Sequence, residues 1–157
     1  MAFGVLGIPR ATTDIDLLVH RDDLPRFQHL LTGLGYQNFF QSDDVSQYTH
    51  PEAVWGAIDL IHAFRQYAVE MLARAKAYPL FGGTKTIKVL EAEDIIGLKV
   101  QAMANNPLRK RREVVDIEAL ASQHGAALDW ARILEYYTLF ELGEEGRQLR
   151  ERFEHAQ

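Results

Sequence analysis

From Glu91 onward the apolar residues recur with the period of a helix, whereas before it they come in short runs bounded by turns. This change of rhythm limits the fold more than any other feature of the sequence. Downstream, residues 91–105, 107–124, 128–139 and 143–156 read as helices, with Pro107 at a helix start where its missing N–H costs nothing. Upstream, residues 14–20, 36–41, 46–49 and 54–63 read as strands, and 78–90 as two short strands around Gly82 and Gly83. Between them lie two expected helices, 21–34 and 65–77. The first has Leu24, Phe27, Leu30, Leu31 and Leu34 on one stripe and Gly35 closing it. Residues 1–6 read as the last turns of a further helix stopped by Gly7. A sheet built first and helices after it predict an α+β fold: a mixed sheet with flanking helices, then a C-terminal helical bundle. At 157 residues, with no linker visible, one domain is expected, its sheet in 1–90 and its helical part in 91–157.

Two of the expected strands carry acids where apolar core residues belong. In DIDLLVH (residues 14–20) side chains alternate, so Asp14 and Asp16 share a face while Ile15, Leu17 and Val19 face the core. In VWGAIDLIHA (residues 54–63) Asp59 stands between Ile58 and Leu60. Charges in a sheet are costly unless something pairs with them. Two carboxylates at this spacing repel, and a hard divalent cation such as Mg²⁺ or Mn²⁺ relieves that repulsion. If the two strands are neighbours, three carboxylates meet, the arrangement that metal-assisted phosphoryl or nucleotidyl transfer uses. A plainer reading has Asp14 and Asp16 capping a strand end and Asp59 paired with an arginine, since D-x-D alone is a short motif.

The net charge of −5 argues against a general nucleic-acid coating protein without excluding a local basic site. The chain has no cysteine, so thiolate zinc sites, disulfides and a Cys nucleophile are out. The six histidines show no zinc-like spacing, and His62 falls on the strand face opposite Asp59. No apolar run is long enough to span a bilayer, and the first residues lack signal-peptide character, so a cytoplasmic protein without a membrane partner is expected.

The full stretch GIPRATTDIDLLV (residues 7–19) resembles the metal-binding strand of the nucleotidyltransferase superfamily, whose fold is that of DNA polymerase beta. It is most similar to the branch of AbiEii-type abortive-infection toxins, which reads Gly-x-x-Arg-x-Thr-x-Asp-h-Asp-h with h apolar. Gly7, Arg10, Thr12, Asp14 and Asp16 fill that pattern. Downstream, AIDLI (57–61) resembles the family's third-carboxylate strand and VLEAEDIIGLK (89–99) its lysine-bearing helix. REVVDI (112–117) resembles the region that follows.

The resemblance implies a metal-dependent transferase passing an NMP from an NTP to an RNA, protein or small-molecule acceptor. Asp14, Asp16 and Asp59 would hold Mg²⁺ or Mn²⁺ and carry the catalysis. Arg10, Thr12, Lys99 and Asp116 would contact the nucleotide. A cognate antitoxin or a second copy would be the protein partner. The family's Gly-Gly phosphate loop aligns ahead of Met1, so a core without that loop and its first strand is expected. That departure keeps a second reading open: a catalytically silent binding module acting through a partner or its own copy. A third, a metal-dependent phosphohydrolase, would use the same acids.

On residue type alone, Lys99 is a snorkelling surface lysine and Asp116 an exposed helix acid. Residues Arg109, Lys110, Arg111 and Arg112 form a solvated basic face partnered by Glu113 and Asp116, with an RNA backbone as the functional alternative. Tyr36, Phe39, Phe40 and Trp55 are expected in the core rather than as base-stacking platforms.

Overall fold

The computed structural model describes Leu6 and residues 14–155. The described residues divide into two compact units, the first covering residues 14–75 and the second 76–155 together with Leu6.

The first unit is built on a mixed sheet of four strands: β1 (Ile15–His20), β2 (Gln37–Gln41), β3 (Val45–Thr49) and β4 (Ala57–Ala63). Their spatial order is β1-β4-β3-β2, with β1 parallel to β4 and the remaining pairs antiparallel. Helix α1 (Leu24–Gly33) crosses over between β1 and β2, and α2 (Gln66–Arg74) follows β4. The core of this unit takes Leu17 and Val19 from β1, Ile58 and Leu60 from β4, Tyr48 from β3, and Leu24, Phe27 and Leu31 from α1. These are alternate residues of each strand, as a one-faced core requires.

The expected α1 stripe is split. Leu31 is buried, but Leu30 and Leu34 stand 55% and 60% exposed. Gly35 ends the helix with φ +90°, and a Cβ there would lie 2.8 Å from the His50 ring, so both conformation and space ask for glycine. The fourth strand begins later than the apolar run suggests. Residues Ala53–Trp55 form a single 3₁₀ turn, Gly56 takes φ 67°, and pairing starts only at Ala57.

In the second unit, β5 (Lys76–Leu80) and β6 (Lys85–Val89) form a two-stranded antiparallel ribbon. Between them Phe81, Gly82 and Gly83 all have positive φ, which two glycines make affordable. The second flanking helix stops at Arg74 rather than 77, because Lys76 and Ala77 pair with Val89 and Lys88. Then come α3 (Ala92–Asn105), α4 (Lys110–His124), α5 (Trp130–Leu139) and α6 (Gly143–Phe153). Ile96, Val100, Ile117, Leu120 and Ile133 meet in their core, each essentially inaccessible. The α+β class and the helical C-terminal part are as the sequence predicts.

Candidate active site

The parallel pairing of β1 and β4 sets Asp16 opposite Asp59. In a parallel pair, residues in register point to the same face, and neighbouring strands lie ~4.8 Å apart. Two carboxylates thus face the same side of the sheet at the same level, the face opposite Leu17, Val19, Ile58 and Leu60. Asp16 is exposed and Asp59 half-buried. Asp14 lies just ahead of β1, also exposed, outside the paired residues. Among the described residues no three His, Asp or Glu side chains stand close enough to hold one metal ion. The register sets Asp16 beside Asp59, and among the described residues Asp14, just ahead of β1, forms no three-acid group with them.

That donor set suits Mg²⁺, which keeps several waters and takes one or two carboxylates plus substrate phosphates rather than a closed protein cage.

The antiparallel register of β3 and β4 extends the row. Gln47 sits opposite Asp59, and its side-chain Nε2 donates to Asp59 Oδ2 at 2.8 Å. The amide occupies one carboxylate oxygen of Asp59. Sequence reasoning missed Gln47 because nothing in SQYT marks it. The signal is the register, which sequence alone does not supply.

On the opposite face His62 is buried, its Nδ1 2.9 Å from the Asp43 carbonyl and its Nε2 2.8 Å from Ser46 Oγ. A carbonyl only accepts, so Nδ1–H donates to Asp43, and Ser46 Oγ and Nε2 share the second hydrogen bond. Arg65 and Asp44 pair at 2.7 Å nearby. Arg10 and Thr12 lie outside the described residues.

In the second unit, every polar residue of the VLEAEDIIGLK segment has a packing partner. Glu91 pairs with Lys76 at 2.7 Å and Arg132 at 2.8 Å. Hydrogen bonding from Lys76 leads the effects on Glu91, outweighing burial and helped by Arg132, and it holds the carboxyl below its usual range. Glu93 accepts the backbone N–H of Asp129 at 2.9 Å. The fully buried Asp94 accepts the Tyr136 hydroxyl at 2.7 Å. Gly97 lets the Tyr136 ring lie against the helix, where a Cβ would stand 2.6 Å from it.

Lys99 meets Glu113 at 2.9 Å and Asp116 at 2.6 Å, its side chain only 18% exposed. Asp116 is buried, not an exposed helix acid, and Lys99 ties α3 to α4 rather than snorkelling into solvent. Glu113, also buried, takes Arg109 as well, at 2.7 Å. Of the remaining basic face, Lys110 pairs with Glu145 of α6, while Arg111 and Arg112 are exposed.

Residues 9–147 match the family described as uncharacterised nucleotidyltransferases. The chain belongs to that family. Membership of that family implies nucleotidyl transfer in general, with an NTP as substrate. No curated protein matches the chain. Among the described residues no helix is long and apolar enough to cross a membrane.

Proposed function

We propose that the chain transfers an NMP from an NTP to an acceptor hydroxyl, using the carboxylate face of the first unit. The observation that supports this reading is the in-register pair Asp16 and Asp59 on adjacent parallel strands. Asp14 and Asp16 would hold Mg²⁺ or Mn²⁺ together with the triphosphate oxygens, and Asp59 would share in that coordination. The metal supplies charge neutralisation along the phosphates. Asp59, steadied by Gln47, orients the acceptor hydroxyl and receives its proton. The acceptor oxygen bonds to the α-phosphorus, the bond to the β-phosphate oxygen breaks, and pyrophosphate leaves.

Arg10 and Thr12 are the proposed nucleotide contacts beside the acids. Lys99 and Asp116, carried by the family resemblance, serve the nucleotide in this reading as a pair whose charges are already matched. The same resemblance proposes a cytoplasmic role in the AbiEii-type branch, with RNA, a protein or a small molecule as acceptor and an antitoxin or second copy as partner. A silent binding module is the second reading, favoured by the absence of a three-acid group among the described residues.

The experiment is calorimetric titration with each NTP, with and without Mg²⁺, on the wild type and on Asp16→Asn and Asp59→Asn. Mg²⁺-dependent binding should weaken in both variants by more than the roughly 10- to 100-fold typical of an outer-shell change. Metal-dependent binding that survives unchanged in both would defeat the carboxylate assignment. No binding by the wild type would favour the silent module.

A further inference from the structure

The edge strand β2 carries a bulge that has a chemical consequence. Asn38 pairs with Tyr48 and Gln41 with Ser46, and Tyr48 and Ser46 share the core-side face of β3. Asn38 and Gln41 therefore share that face too, although three residues separate them. The two residues between, Phe39 and Phe40, together oppose the single residue Gln47, as two-against-one pairing in a bulge requires. Both phenylalanines thus sit on the carboxylate side of the sheet, in the row Phe40, Gln47, Asp59, Asp16 that crosses all four strands.

They are not core residues, as the sequence had suggested. Phe39 is 60% and Phe40 48% exposed. Among the described residues neither ring pairs with another aromatic ring or with a cation. Without the bulge, alternation would send one of the two to the core side. The bulge keeps both rings level with the acids, two strand spacings or roughly 10 Å from Asp59. That is about the reach of one nucleotide from its phosphate to its base.

We infer that Phe39 and Phe40 form a stacking platform for a nucleobase whose phosphate or hydroxyl is presented to Asp16 and Asp59. The inference rests on the nucleotidyl-transfer reading above and adds to it a base subsite on β2. Aromatic rings bind bases through their faces without regard to sequence, so the platform serves the base of the NTP or that of an acceptor nucleotide equally well.

The test compares the wild type with Phe39→Ala/Phe40→Ala and with Phe40→Trp, using Mg²⁺-NTPs, Mg²⁺-tripolyphosphate and short single-stranded oligoadenylate and oligouridylate as probes. Circular dichroism checks that the exposed edge strand tolerates the changes. The double alanine variant should bind an NTP or an oligonucleotide roughly 5- to 150-fold more weakly, with tripolyphosphate affinity unchanged. Phe40→Trp should keep the affinity and show tryptophan quenching by the same probe. Loss confined to NTPs assigns the platform to the incoming nucleotide, and loss confined to oligonucleotides assigns it to the acceptor. If the wild type binds tripolyphosphate, and the double variant binds NTPs and oligonucleotides as the wild type does, the platform is wrong and the transfer reading stands. If the wild type binds neither tripolyphosphate nor any NTP, the transfer reading fails and takes the platform with it.

Discussion

Lys99→Met tests how far the charges that tie α3 to α4 hold the helical unit together. In the structure the Lys99 ammonium is shared by Glu113 and Asp116, whose side chains are 2% and 10% exposed. Methionine keeps the apolar stem and removes the charge, leaving two carboxylates near each other in the interior. Deleting one partner of a buried pair costs about 3–5 kcal/mol, because the charge left behind is neither solvated nor matched. Here Glu113 keeps Arg109 at 2.7 Å, so the lower figure applies, about 3 kcal/mol.

The assay is urea unfolding followed by Trp130, which is buried in the helical core, in a Trp55→Phe background so that the first unit stays silent. With a denaturant slope of about 1.5 kcal/mol per molar, the midpoint should fall by roughly 2 M. Adding Asp116→Asn should return part of the loss, with a coupling on the order of 1 kcal/mol or more. A stability within ~0.5 kcal/mol of wild type, a midpoint shift of roughly 0.3 M, is the range of an ordinary surface change and would refute the reasoning.

Two further perturbations test the same physics elsewhere. Gln47→Met preserves side-chain length but removes the amide that donates to Asp59; Mn²⁺ affinity, followed by electron paramagnetic resonance, should weaken roughly 10- to 100-fold. Unchanged affinity would make Gln47 a bystander in the carboxylate row. For acid stability, Glu91 is the residue to change. Its folded-state carboxyl is depressed chiefly by hydrogen bonding from Lys76, so its contribution is present above the unfolded value of about 4.3 and is lost as pH falls through the folded one. Glu91→Gln should therefore destabilise the protein at pH 7, and the gap to wild type should narrow below about pH 4 in paired urea titrations. A gap that stays constant from pH 7 to pH 3 would show that the Lys76 and Arg132 contacts do not bear on stability.

Much of this protein is legible in its sequence because the signals are local. The α+β order follows from the change of hydrophobic period at Glu91, and the helix boundaries near Gly35, Pro107 and Gly143 follow from residues whose backbone preferences act wherever they stand. Asp16 and Asp59 stand out as candidates in the sequence because a carboxylate inside an apolar strand is anomalous without its neighbours being known.

Where the sequence misled, non-local contacts decided. Alternation and apolar character placed Phe39, Phe40 and Trp55 in the core, but β2 is the sheet's edge and the bulge gives Phe39 and Phe40 one face. Residue type made Asp116 a solvent-facing acid, but Lys99 arrives from seventeen residues away to bury it. Gln47 becomes part of the site only because β3 and β4 pair in one register, and a slip of one residue would turn it to the other face. Sequence by itself determined the elements and the chemical types on them, since propensity and period are properties of a short window. Only the tertiary structure decided which acids face each other, which charges are matched and which rings stay open to a ligand, since strand register and helix packing join residues that no window contains.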